Sequence, residues 1–259
     1  MSSHKIAIAA AVNSPTVLEQ CLAHSPDVAS GTVPLRTYEG YRVAALAYNQ
    51  ALEDCGCEWL VLAHQDVYLP KGFVERAVEA LTHLTEVAPD WAVAGLVGAT
   101  NDRNVYGRIW CSGNGWEIGD GKGLPARVVT LDELVLIIRT DAGLKFDVQL
   151  PGFHMYGADI VLQAEAQGRT AWVIDAPVVH HSKPVVNLGG DYARASRYMS
   201  KKWASRLPVY NLCCPITFTP FTLWVNDLRV RWRNRGRTVR RDAQGDPAEI
   251  AQRMGYETL

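Results

Sequence analysis

The side chains best placed to do chemistry stand beside apolar runs. The unbroken run Trp59-Leu60-Val61-Leu62-Ala63 stops at His64-Gln65-Asp66, and the run from Lys5 to Val12 stops at Asn13. Asp132-Glu133 and His180-His181 adjoin two later runs. In open α/β sheets ligands bind beyond the carboxyl ends of the strands, so these are the polar groups to weigh. A carboxylate there suits a hard divalent cation such as Mg²⁺ or Mn²⁺, which takes oxygen ligands, keeps several waters and bridges to phosphate. Asp66 would supply one ligand and His180 or His181 another, since imidazole is acceptable to Mn²⁺. A second reading has Asp66 capping the turn Val67-Tyr68-Leu69-Pro70, and spacing alone does not choose between them. No G-x-G-x-x-G fingerprint follows the first run and no G-x-x-x-x-G-K-[ST] loop occurs, which removes the main signals for dinucleotide and P-loop sites.

Positioning such groups takes alternating strands and helices. Helical spacing runs through Val43, Leu46, Ala47, Ala51 and Leu52 between the first two buried strands. After the break at Pro70-Lys71-Gly72, Phe73 to Glu86 reads as a further helix with Phe73, Ala77, Val78 and Leu81 on one face. Strands are expected at Trp91–Gly98 and Leu134–Arg139, a helix from about Ala158 to Gln167 stopped by Gly168, and closing strands at Ala171–Ile174 and around His180. The alternation predicts an α/β fold whose parallel sheet is covered on both faces. The glycine-rich stretch from Thr100 to Ala126 is expected to be a loop carrying function.

Composition bounds the rest. The chain has 259 residues, 48% hydrophobic and 20% charged, with a net charge of -1, so nothing global points to nucleic acid. Its six cysteines form no C-x-x-C pair, which favours free thiols over zinc or disulfides. The opening residues lack a signal-peptide layout, so a cytoplasmic location is expected, with peripheral contact at the inner face of a membrane as an added option.

In order and spacing, the chain from about Lys5 to Pro208 resembles the GT-A glycosyltransferases of family 2, and especially their bacterial glycosyltransferase-like branch. The pieces are Val12-Asn13-Ser14, Ala47-Tyr48-Asn49-Gln50-Ala51-Leu52, Ala63 to Pro70, Leu131-Asp132-Glu133, Phe146-Asp147, Gly152 to Tyr156 leading into Asp159, and Val179-His180-His181-Ser182. The resemblance implies a GT-A (Rossmann-like), mostly parallel central sheet flanked by helices over residues 1–190, with a C-terminal helical or irregular extension over 191–259. It also implies an inverting transfer of a sugar from a nucleoside-diphosphate sugar to a hydroxyl of a glycan or lipid-linked acceptor, assisted by Mn²⁺ or Mg²⁺.

Residue by residue, the resemblance puts Val12, Asn13, Glu39, Asn49, His64, Gln65 and Asp66 at the donor. Asp66 matches the metal-binding acid of the family's D-x-D motif, whose first acid is His64 here, and His180 or His181 matches the histidine that closes the metal site. The family's pair of acids near a later helix start reads Tyr156-Gly157-Ala158-Asp159, so the first acid is glycine. That leaves Asp159 as the expected base, with Asp132 behind it. Gly157 and His64 also motivate an alternative, a GT-A-like protein that binds nucleotide sugars with impaired catalysis.

The C-terminal part is basic. Leu212 to Leu228 is apolar but interrupted by Pro215 and Pro220, and Arg229, Arg231, Arg233, Arg235, Arg237, Arg240 and Arg241 follow. Residues 209–241 could dock on an anionic bilayer, form a homo-oligomer contact, or be a solvated basic face.

Overall fold

The computed structural model of the chain describes residues 5–235 and 245–257. Its first half runs β1 (Ile6–Val12), α1 (Pro15–Gln20), α2 (Pro26–Ala29), β2 (Leu35–Glu39), α3 (Ala44–Asp54), β3 (Trp59–Ala63), β4 (Val67–Tyr68), α4 (Phe73–Val87), β5 (Trp91–Gly95) and β6 (Val97–Ala99). Then follow β7 (Val105–Gly107), β8 (Ile109–Cys111), β9 (Trp116–Ile118), β10 (Ala126–Val128), β11 (Thr130–Leu131), β12 (Val135–Arg139), α5 (Tyr156–Ala166), β13 (Thr170–Val173) and β14 (Val178–His180). The chain ends with α6 (Gly190–Lys202), α7 (Pro220–Arg233) and α8 (Pro247–Arg253).

A seven-stranded sheet in the order β10-β13-β5-β12-β3-β1-β2 forms the centre. Its strands read as unbroken apolar runs because both faces are covered. Along β1, Ala7 and Ala9 enter one core while Ile6, Ile8, Ala10 and Val12 enter the other. In β3, Leu60 and Leu62 oppose Trp59, Val61 and Ala63 in the same way. Side chains that alternate faces with period two need apolar residues at every position of a doubly buried strand. Residues of α3 and α5 fill the first core and residues of α4 the second.

The sheet is mostly parallel, as expected, with two antiparallel strands. Strands β2, β1, β3, β5 and β13 run one way, but β12 lies antiparallel between β3 and β5, and β10 is antiparallel to β13. A parallel return from β5 would need a crossover back to the starting end of the sheet. Here β6 follows β5 at once, and β11 pairs with β6 through Thr130↔Ala99. The chain is therefore still at the carboxyl end of β5 when it enters β12, and can only run back. The glycine-rich stretch expected as a loop holds the short strands β7, β8 and β9, and β8 joins a small second sheet in the order β4-β14-β8-β9. Gly107 permits this folding back, since a Cβ there would lie 2.3 Å from the Leu96 carbonyl oxygen.

Beyond residue 190, Tyr192, Ala195, Met199, Val209, Ile216 and Val230 bury their side chains in the first core, while Ile250, Ala251 and Tyr256 pack against Tyr68 and Val179. No helix among the described residues is long and apolar enough to cross a membrane. Arg237, Arg240 and Arg241 lie outside the described residues.

Candidate active site

Local strand pairing builds the site. The His64 backbone N–H donates to the Leu134 carbonyl at 2.9 Å, tying the end of β3 to the entry of β12. Two residues on, Asp66 leads into β4, which pairs with β14 in the register Val67↔His180. The His181 N–H donates to the Asp66 carbonyl at 2.8 Å. Because side chains alternate along a strand, His180 and His181 face opposite ways. His180 turns toward Asp66, with Nε2 3.5 Å from Oδ1, and its ring lies edge-on to that of His64 at 5.9 Å. The candidate ligand atoms of His64, Asp66 and His180 all lie within 4.8 Å of one another. His181 points away, with Nδ1 3.3 Å from Ser112 Oγ, and lines a separate pocket with His24 and Asp246. Of the two histidines the sequence left open, the structure brings His180 to the cluster and His181 is not part of it.

Two imidazoles and a carboxylate suit Mn²⁺ better than Mg²⁺, which prefers an all-oxygen shell. The ring of His64 is held in place from behind. Its Nε2 lies 2.8 Å from the Tyr156 hydroxyl, which in turn donates to the Glu133 carbonyl at 3.2 Å. With Nε2 engaged by Tyr156, Nδ1 is the other ring nitrogen that His64 can offer to an ion. Burial pushes His64 below the ordinary histidine value, against the pull of Asp66. Burial works the same way on His180, but the Asp66 carboxylate and the hydrogen bonds to Asp66 and Cys111 override it, and this ring is pushed up to about 10. The two rings are thus pushed in opposite directions, and the positive charge that Asp66 favours on His180 is one that a divalent ion would replace.

The cluster stands at the rim of a 680 Å³ pocket. Val12, Asn13, Glu39, His64, Gln65 and Asp66 all line it, each from the end of β1, β2 or β3. Gln65 also braces the floor. Its Oε1 accepts from the backbone N–H groups of Asn13 (3.1 Å) and Ser14 (3.0 Å), and its Nε2 donates to Asn13 Oδ1 at 2.5 Å. Tyr38, Tyr41 and Phe153 contribute aromatic faces to the same pocket.

Asn49 is not among these lining residues. From α3 it donates to the Phe146 carbonyl (2.9 Å) and accepts from the Phe146 N–H (2.8 Å), so its amide is spent holding a loop whose Phe146 ring packs on Tyr48. The structure does not bring Asp159 to the pocket either. Asp159 is 1% exposed, and its carboxylate accepts from Trp203 Nε1 (2.7 Å), Lys202 Nζ (2.9 Å) and Gln163 Nε2 (2.8 Å), which ties α5 to α6. Burial raises this carboxyl, with Lys202 and Trp203 opposing. So enclosed, the carboxylate does not line the pocket.

Asp132 is placed differently. It shares with His180 a second cavity of 250 Å³, also lined by Cys111, Lys183, Cys213 and Arg233. Its Oδ1 accepts from the Leu134 N–H at 3.0 Å, which fixes the turn into β12. Glu133 beside it is pushed up to about 8 by burial and the neighbouring Asp132 charge, although the backbone N–H groups of Met155 and Gly157 at the start of α5 oppose this. That contact explains Gly157. A Cβ there would lie 2.6 Å from the Leu131 carbonyl oxygen and 3.3 Å from Glu133 Cγ, so the carboxyl at this helix start comes from Glu133 instead. Sequence reasoning gave Tyr156 and Cys111 no role. Cys111 is 8% exposed, and although burial opposes it, contact with His180 draws its thiol below the ordinary value.

No known protein-family model matches the chain. A relative in Fuscovulum blasticum, called ATP synthase subunits region ORF 6, is 29% identical over 180 residues, which cover 64% of this chain and 68% of that protein. Among solved structures, the mannosyltransferase PcManGT from Pyrobaculum calidifontis, in complex with GDP-Man and Mn²⁺, is 13% identical, with a TM-score of 0.49 over 99% of this chain and 83% of that one. S. aureus TarS 1-349 in complex with UDP-GlcNAc is also 13% identical, with a TM-score of 0.46 over 77% and 66% of the two chains. At such identities and TM-scores these are likenesses in shape, and the ligands are those of the proteins named.

Proposed function

We propose that the chain is a metal-assisted glycosyltransferase that takes a nucleoside-diphosphate sugar as donor and transfers the sugar to a hydroxyl with inversion. The observation that carries this reading is the convergence of His64, Asp66 and His180 at the rim of a pocket lined by Val12, Asn13, Glu39 and Gln65. The strand ends and aromatic faces would hold the nucleoside, and the cluster would hold the diphosphate through a divalent ion. Such an ion supplies positive charge to the departing diphosphate. The same ligand set on its own would also serve Fe²⁺, but an open α/β sheet with its pocket beyond the strand ends favours a nucleotide.

The acceptor would enter from the cavity on the other side of His180. Its hydroxyl oxygen forms the new bond to the anomeric carbon, the bond from that carbon to the diphosphate oxygen breaks, and the hydroxyl proton passes to a carboxylate. Asp132 lines that cavity together with His180, whereas Asp159 is enclosed. We assign the base to Asp132 on that ground.

A panel of UDP- and GDP-sugars with Mn²⁺, assayed for release of nucleoside diphosphate, tests the reading. Turnover on at least one donor is expected, and Asp132→Asn should lower it about 10²- to 10⁴-fold while leaving donor affinity near the wild-type value. Tight donor binding without turnover on any donor would favour the alternative, a nucleotide-sugar-binding protein. Full activity of Asp132→Asn would remove the assignment of the base.

A further inference from the structure

Helix α7 carries two apolar faces, and only one of them is used by the fold. Val230 is buried in the first core and Leu223 packs against it. On the other side, Phe221, Trp224, Leu228 and Trp232 follow one another at spacings of three, four and four, which at 100° per residue places them on one stripe. They are 65%, 58%, 46% and 80% exposed, and Phe218 just before the helix is 66% exposed. The rings of Phe221 and Trp224 sit 5.7 Å apart, so the stripe is continuous at its start. Single exposed apolar residues need no explanation, but a contiguous aromatic ridge with charged borders does.

The borders are arginine. By the same helical geometry Arg229 and Arg231 flank the stripe on its two sides, with Arg233 and Arg235 beyond, and all four are exposed. Between Phe218 and Arg235 the only acid is Asp227, and its carboxylate accepts from the Leu188 N–H (2.6 Å) and Arg231 Nε (2.7 Å). Helix α6 lies against α7 and adds exposed Arg197 and Lys201. An isologous contact with a second copy would set this positive segment against itself. An anionic bilayer meets both features, because aromatic and aliphatic side chains enter the headgroup boundary while long arginines reach lipid phosphates on either side.

We propose that α7 is a membrane-docking helix that lies in the plane of an anionic lipid surface on its Phe221–Trp232 stripe. The inner side of the same helix contributes Val230 and Arg233 to the cavity that holds Asp132 and His180. Docking would set that cavity beside the lipid surface, where a lipid-linked acceptor enters. Only this last step rests on the transferase reading, since docking is measured without turnover.

The test is co-sedimentation of the full chain with vesicles of phosphatidylcholine alone and of phosphatidylcholine with phosphatidylglycerol in equal parts. Binding to the anionic vesicles, weakened by salt and by omission of phosphatidylglycerol, is expected. The double substitution Trp224→Ser/Trp232→Ser should weaken it by about tenfold or more, and Arg229→Gln/Arg235→Gln by about fivefold per charge. All four positions are exposed, and a thermal melt shows that the variants fold. Absence of vesicle-dependent sedimentation in the wild type, or unchanged binding in the tryptophan pair, overturns the proposal. So does a wild-type dimer that the tryptophan pair dissolves while neither protein binds vesicles, because the stripe is then a self-association surface.

Discussion

His180 and His181 face different surroundings because they are consecutive residues at the end of β14. His180 faces Asp66 and His64, while His181 faces Ser112. Mn²⁺ titration followed by loss of the free-ion resonance signal should therefore separate them. His180→Ala should weaken Mn²⁺ by about 10- to 100-fold, and His181→Ala should leave it within about threefold; equal effects would mean that the alternation does not select the ligand. Glu133 gives a pH signature. Its folded value of about 8 lies above its ordinary value of 4.5, so the fold favours the protonated form. That contribution is full below about 4.5 and is lost as the pH rises through about 8. Glu133→Gln stays neutral, so its melting temperature relative to wild type should improve from about pH 5 to about pH 8. A difference independent of pH would contradict the buried, raised carboxyl. The placement of Asp66 and His64 at a strand end was legible because they end an apolar run. The enclosure of Asp159 was not legible, because the partner that occupies it, Lys202, lies 43 positions away, and no local pattern announces that pairing.

Short elements frame the site more than long ones do. The pairing of β4 with β14 brings His180 opposite Val67, and so beside Asp66, yet β4 has two residues and β14 has three. Strands so short leave little periodicity to read, which is why the meeting of Asp66 and His180 could be expected from sequence only as one of two options. The reversal of β12 was hidden for a similar reason. An apolar run has no direction, and the absence of a helix between β5 and β12 was the one clue. At the helix level, Asp159, Asp147 and Lys202 fasten α6 to the body: Lys202 Nζ lies 2.6 Å from Asp147 Oδ2 and 2.8 Å from Asp159 Oδ1. Asp159→Asn should cost about 1–3 kcal/mol of stability by denaturant unfolding, with donor affinity changed less than about twofold. Loss of turnover without loss of stability would return Asp159 to the role of base.

At the scale of the molecule, two apolar cores sandwich one sheet, and the candidate site lies where strands β1, β2 and β3 end. That much follows from buried runs that stop at polar residues, and it is the part of the fold the sequence made plain. The second cavity needed the structure, because Asp132, Cys111, Lys183, Cys213 and Arg233 meet only once the small sheet and α7 are in place. Asp66 lines the larger pocket and His180, 3.5 Å from it, lines this cavity, so the two spaces adjoin at that pair. The central claim is that His64, Asp66 and His180 together hold a divalent ion and, through it, the diphosphate of a donor. Calorimetric titration of UDP and GDP into the chain, with Mn²⁺ and then with EDTA, for wild type and Asp66→Ala, measures it most directly. Nucleotide binding should require Mn²⁺, vanish in EDTA and be lost in Asp66→Ala. Binding of equal strength in EDTA, or undiminished in the variant, would contradict it.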